Sequence, residues 1–268
     1  MRSSSKQNSP LCSLVLVLLL IAARPCAAEV VLLEGGRAKA AIVADTRRSN
    51  PTGAEILKDA AQWLAGSLKT ASRAKFDVIS QAGDEVAIII ARADAWPDVA
   101  RTAGLKSDGY DDYVIATRTN ERHVFVLGNS EDAARHGVAD LLRRWGFRWF
   151  APSPRWHVAP QFKDLAVDLN VVESPQLIER RIWYAYGMSG DDLRPLMTNY
   201  QRWAVANRLT LRGLTRTGHS YGHIIGRNNE EFAKQPELSA MKEDGSRDTT
   251  SVPNARKFCF SNPELIDL

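Results

Sequence analysis

Proton transfer at a polar bond needs carboxyl or imidazole groups held near one another. Among the adjacent acidic pairs of the sequence are Asp111-Asp112, Asp191-Asp192, Glu230-Glu231 and Glu243-Asp244. Each has a plain reading beside the chemical one. Asp191-Asp192 stands at the start of a helical pattern, where acids complement the helix dipole. Asp111-Asp112 precedes a strand-like run and is expected to face solvent, and the glutamate-containing pairs read as exposed helix and loop acids. His219 and His223 occur as His-Ser-Tyr-Gly-His. On a helix they would share one face and could hold a metal, but Gly218 and Gly222 argue for a loop and no third ligand is evident. No metal and no cofactor is expected. Gly128-Asn129-Ser130 opens a helix, whose free N–H groups can cradle a phosphate. The phosphate-loop and dinucleotide patterns are missing, so it reads as a turn and a cap.

The elements that must position these groups follow from periodicity. Residues 123–127 form a β-branched and aromatic run broken by Gly128. Ser130 is a good N-cap, Glu131 and Asp132 fill a first helical turn, and Ala134, Val138, Leu141, Leu142 and Trp145 repeat at three- and four-residue spacing. Gly146 is the natural stop, and Phe147, Trp149 and Phe150 begin another strand-like run. Earlier, residues 29–33 and 40–44 read as strands joined across Gly35-Gly36. Thr52 with Glu55 suggests a capping box for a helix whose buried stripe is Ile56, Leu57, Ala60, Ala61, Leu64 and Leu68. Residues 76–79 and 86–91 are strands, the second apolar enough to be central and covered on both faces. A short helix over 94–103 tolerates Pro97 only in its first turn. Residues 112–117 and 123–127 form a hairpin, and 165–171 is a further strand. Residues 29–172 therefore read as one mixed α/β sheet with its two long helices packed mainly on one face.

Composition shifts at Glu173-Ser174-Pro175. Beyond it, residues 178–184 are strand-like, 191–209 helical, 210–215 strand-like and 228–234 helical. Strand, helix, strand is how a parallel (β/α) barrel begins.

The segment Gly-Asn-Ser … His-Gly-Val-Ala-Asp-Leu-Leu … Trp-Gly-Phe-Arg-Trp-Phe-Ala-Pro, residues 128–152, resembles the small α/β domain that precedes the catalytic barrel in α-glucuronidases and family-20 β-hexosaminidases. It is most similar to uncharacterised secreted bacterial proteins of that architecture. The resemblance implies an accessory domain over 29–172, followed over 173–268 by the start of an incomplete (β/α) barrel. It implies a glycoside-hydrolase-like parent activity on hexosamine- or uronate-containing glycans, hence a carbohydrate substrate. Glycosidic hydrolysis usually takes two carboxyl groups, and those families place theirs on later strands, so the catalytic acids are expected to be missing from this chain. Arg180 falls where the families carry a substrate-binding arginine. Its guanidinium could hold sugar hydroxyls or a uronate carboxylate, or it could pair with Glu179 or Glu173 at the seam between the two parts. His219 follows the second barrel strand by the same resemblance and could donate to a sugar, or lie in a solvated loop. Of the seven tryptophans, Trp63, Trp145 and Trp203 lie on or beside apolar stripes, and Trp183 is the candidate for stacking on a sugar face. The alternative function is a non-catalytic carbohydrate-binding or scaffold module.

Residues 1–28 read as a secretory signal: Arg2 and Lys6, an apolar core over 11–23, and Cys26-Ala27-Ala28 before Glu29. The core is shorter than the roughly 20 residues of a spanning helix, and Pro25 argues against lipidation at Cys26. A secreted or periplasmic protein without a stable membrane span is expected. Of the formal net charge of +4, Arg2, Lys6 and Arg24 belong to the signal, so the remainder carries +1. Nothing there asks for nucleic acid. Cys259 alone remains after cleavage, so no internal disulfide can form. Ser261-Asn262-Pro263-Glu264 reads as a helix start cut off by Leu268, the pattern expected of a fragment.

Overall fold

Val86–Arg92, sequence VAIIIAR, fixes the centre of the molecule because no polar side chain interrupts it until its end. The computed structural model describes residues 29–106, 108–177, 179–182, 193–211, 220–249 and 256–267. Its strands in chain order are β1 (Val30–Glu34), β2 (Arg37–Ala38), β3 (Ala40–Asp45), β4 (Val78–Ile79), β5 (Val86–Arg92), β6 (Tyr113–Arg118), β7 (His123–Gly128), β8 (Arg148–Trp149), β9 (His157–Val158), β10 (Leu165–Val167) and β11 (Asn170–Glu173). The helices are α1 (Pro51–Ser72), α2 (Pro97–Thr102), α3 (Glu131–Arg144), α4 (Leu193–Ala206), α5 (Ser220–Arg227) and α6 (Asn229–Lys234).

The main sheet has six strands in the order β11-β6-β7-β5-β3-β4. β3 pairs in parallel with β4 and β5, β5 pairs in parallel with β7, and β6 is antiparallel to β7 and β11. The fold is thus α/β on a mixed sheet, as the periodicities predict. Alternation divides the strand side chains between two cores. Ile42, Ile88, Ile90, Ile115, Val124 and Val126 face α1 and α3, whose Leu57, Leu64, Val138 and Leu141 complete one core. Val43, Ile89, Val114, Phe125 and Leu127 face the other way, onto Val99, Ala100 and Ala103 of α2 and its flank. The long helices share one face, and the short α2 covers the other.

The order of connections accounts for three departures from the sequence reading. β1 does not join the main sheet; it forms a three-stranded sheet between β10 and β2, because the chain turns back at Gly35 and Gly36, both at positive φ. The run expected as one strand over 165–171 is two: Leu165–Val167 pairs with β1, and after Asp168-Leu169 the segment Asn170–Glu173 pairs with β6. The run after Gly146 pairs only with His157–Val158. The cap of α1 is also displaced, since Asn50 accepts from Gly53 N at 2.8 Å and Pro51 takes the first helical position. Ser130 caps α3 as expected, accepting from Ala133 N at 3.1 Å, and Gly146 stops it at φ +100.

Beyond β11 the described residues do not form the expected strands. Residues 179–182 and 210–211 carry no strand assignment, and the rest of both runs lies outside the described residues. A barrel start is therefore not among the observed elements. α4 packs on α3, with Ala206 and Trp203 joining the larger core. Ser220–Arg227 is a helix despite Gly222, against the loop expected there. Ile225, Phe232, Leu238 and Phe258 form a separate small core. Among the described residues no helix is long and apolar enough to cross a membrane.

Candidate functional site

A buried polar cluster lies where the chain after β11 meets α3 and the start of β6. It begins with sterics. Gly137 on α3 sits over β6 and β7, and a Cβ there would come within 2.7 Å of Val126 and 3.2 Å of Tyr113. That close approach carries His136 and Asp140 down to the sheet edge, where the turn before β6 supplies Asp111 and β6 itself supplies Tyr113.

Arg180 enters this cluster from the other side. Its Nη2 donates to Asp111 Oδ2 at 2.5 Å, its Nε to Arg208 O at 2.9 Å and its Nη1 to Leu177 O at 2.7 Å. Its backbone N–H donates to Thr210 Oγ1 at 3.1 Å, and Thr210 N returns a bond to Arg180 O at 2.9 Å. The Arg180 and Asp111 side chains are only 17% and 12% exposed. Each of the three guanidinium nitrogens therefore has a protein acceptor. Asp111 is not the solvent-facing acid that its sequence position suggests, and the partner of Arg180 is neither Glu179 nor Glu173. Glu179 lies 3.4 Å from Arg181, while Glu173 lies 3.6 Å from Arg144 and 3.7 Å from Arg208. Arg208 also donates to the Tyr113 hydroxyl at 3.1 Å. Burial, with Asp140 nearby, pushes the Tyr113 phenol well above its ordinary value.

His136, which nothing in the sequence marks out for chemistry, is the central group. Its ring is 2% exposed. Nε2 lies 3.2 Å from Leu209 O; a carbonyl can only accept, so the proton resides on Nε2. Nδ1 is then a bare acceptor, buried without a hydrogen-bond partner and 3.8 Å from Asp111 Oδ1. Burial pushes the imidazole down to about 4, against the attraction of Asp111 and with help from Arg135 and Arg180. The ring is neutral near pH 7, so the cluster holds a buried imidazole oriented by Leu209 O.

The other predicted site residues separate. Trp183, His219 and the Asp191-Asp192 pair lie outside the described residues. His223 is exposed on α5. Among the described residues no group of three His, Cys, Asp or Glu side chains could hold a metal ion. Gly128 is a glycine for packing, since a Cβ would meet Ala134 N at 2.2 Å. Trp63 packs edge-on against buried Trp149 at 5.4 Å, whereas Trp156 is exposed.

A second polar group closes the carboxyl end of β3. Asp45 accepts from Arg47 at 2.6 Å and from Trp96 Nε1 at 2.8 Å. Burial opposes its ionisation, but these hydrogen bonds outweigh it and hold the carboxyl below the usual range.

No family model matches the chain, and no curated protein sequence matches it. Among solved structures, it is similar to a family GH115 4-O-methyl-α-glucuronidase with specificity for decorated arabinogalactans, at a TM-score of 0.48 and 14% identity over 67% of this chain and 25% of that one. The chain thus spans about a quarter of the length of that protein. A likeness this distant assigns no activity.

Proposed function

We propose that this chain is part of an exported glycan-handling protein acting on hexosamine- or uronate-containing glycans. Its α/β unit is a support that fixes the segment after Glu173, and the hydrolytic carboxyl pair is not supplied by the described residues. The observation that carries the supporting role is the engagement of Arg180 by Asp111, Arg208 and Leu177. Three of its five N–H groups donate to protein, one from each nitrogen, which fixes the side chain across the seam. Arg180 is accordingly a positioning residue in this reading. Sugar contact falls to Trp183 and His219, the stacking and hydrogen-bonding candidates. The glycan assignment itself rests on the resemblance of residues 128–152, which is analogy of architecture.

The test is direct. The full chain should bind oligosaccharides containing N-acetylhexosamine or uronate without turning over chromogenic N-acetylglucosaminides or aldouronic acids. Trp183→Ala and His219→Ala should weaken binding at least fivefold, whereas Arg180→Ala should mainly lower thermal stability. Steady turnover would overturn the supporting role, and an absence of binding to any such glycan would overturn the glycan assignment.

A further inference from the structure

The parallel strands β3 and β5 are neighbours, yet the chain leaves their carboxyl ends toward opposite faces of the sheet. From β3 it passes to α1, which packs on the larger core, and from β5 it passes to α2, which packs on the smaller one. Connections that diverge in this way leave a crevice outside the strand ends, the usual ligand position in open α/β sheets. Beside that point, over the ends of β5 and β7, lies a cleft of about 740 Å³, within the range of small-molecule sites.

Its construction is specific. Asn129, just after β7, donates its side-chain amide to Lys106 O and to Gly109 O, both at 2.7 Å. This pins the loop that forms one wall against the turn that forms the other. Ala93, Pro97, Ala100 and Leu105 give the cleft an apolar floor. The cations divide unequally. Arg92 is held by Asp94 at 3.0 Å and lies 3.7 Å from Glu131, and Arg101 is held by Asp98 at 3.1 Å. Lys106 lines the same cleft and makes no ion pair among the described residues. Asp94 and Asp108 add acceptors at the rim.

We infer that this cleft binds an anionic monosaccharide of the hexuronate class. The carboxylate faces the Lys106 ammonium, the C–H face of the ring lies on the apolar floor, and the ring hydroxyls donate to Asp94 and Asp108. The inference rests on the glycan reading above but places the ligand in the α/β unit, away from Trp183 and His219. A phosphate would satisfy Lys106 and leave the floor and the two acids unused. A neutral hexose would use the floor and leave Lys106 unmatched.

Isothermal titration of the full chain with glucuronate, glucose and inorganic phosphate tests this assignment. Glucuronate should bind saturably and more weakly as salt rises, with glucose and phosphate each at least tenfold weaker. Lys106→Glu should lower glucuronate affinity at least tenfold, and Lys106→Arg should keep most of it. Both variants should melt with the parent, because only the backbone carbonyl of Lys106 takes part in the fold contacts described. Equal binding of phosphate and glucuronate, or of glucose and glucuronate, would overturn the hexuronate assignment. Glucuronate binding unchanged in Lys106→Glu would overturn the cleft while leaving glycan binding by the chain intact. Absence of glucuronate binding, with larger glycans still bound, would do the same.

Discussion

At the scale of single residues, the seam cluster is governed by what burial costs a charge. Asp111 and Arg180 come from positions 69 apart in sequence, and no local pattern links them. The pair Asp111-Asp112 reads as a polar strand flank because the ion-pair partner of Asp111, Arg180, lies after β11. Removing one partner of a mostly buried pair strands the other, at a cost of about 3 kcal/mol. Asp111→Ala and Arg180→Ala should each lower the unfolding free energy by about that amount, and the double variant should lose much less than their sum. Chemical denaturation of the four proteins gives the coupling, and strictly additive losses would show that the two side chains act independently.

His136 makes a pH prediction whose sign is fixed. Its folded value is lowered by burial to about 4, whereas an unfolded imidazole takes its proton near 6.5. The unfolded state therefore binds more protons between those values. The contribution of His136 is fully present above about pH 6.5 and is lost as pH falls toward 4. Melting temperatures measured from pH 7 to 4 should fall less steeply in His136→Gln than in the parent. Parallel profiles would falsify this. Tryptophan gave a mixed lesson at the same scale: Trp63 packs as its helical stripe foretells, but Trp96 becomes a hydrogen-bond donor to Asp45 across 51 positions.

At the scale of elements, much was legible because the signals are local. The stripes of α1 and α3, the Ser130 cap and the apolar β5 each depend on spacing within a few residues, and each is present. Pairing is different. β1 looks like a neighbour of β3 in sequence, but its register with β10 is set by the whole intervening domain. The break at Asp168-Leu169 has no glycine or proline to announce it. The helix Ser220–Arg227 forms over Gly222 and Gly226 because Ile225 has a small core to enter, so packing overrides intrinsic propensity. Two element-level outcomes follow. Asn50→Ala should cost about 1 kcal/mol by leaving the Gly53 N–H uncapped, readable from the denaturation midpoint. Gly137→Ala should cost more, because the helix must lift from Val126 and Tyr113. If it costs no more than an exposed-site substitution, the helix is not seated as closely as described.

At the scale of the whole molecule, the chain after Glu173 is joined to the α/β unit by a set of charged contacts together with α4. Asn207 donates to Trp149 O at 3.0 Å, and Arg202 pairs with Asp59 at 2.9 Å while lying over the Trp63 ring. Composition suggests a boundary at Glu173-Ser174-Pro175, and among the described residues the last strand is Asn170–Glu173, but the seam itself was invisible because each of its partners comes from a different element. Limited proteolysis should be faster after residue 173 in a chain carrying both Asp111→Ala and Arg180→Ala than in the parent, while residues 29–172 keep their protection. Equal cleavage in the two proteins would mean that α4 alone holds the parts together.

The division of residues 165–173 between two sheets also has a consequence for timing. Val30 faces Val167, and Tyr113 faces Glu173, so β1, the first strand among the described residues to leave a ribosome, waits for β10 to complete its ladder. Until that rivet arrives, β1 has only the two-residue β2 beside it. A polypeptide arrested short of Leu165 would keep an open edge at each sheet. Such a nascent chain closes both sheets only when residues 165–173 have emerged.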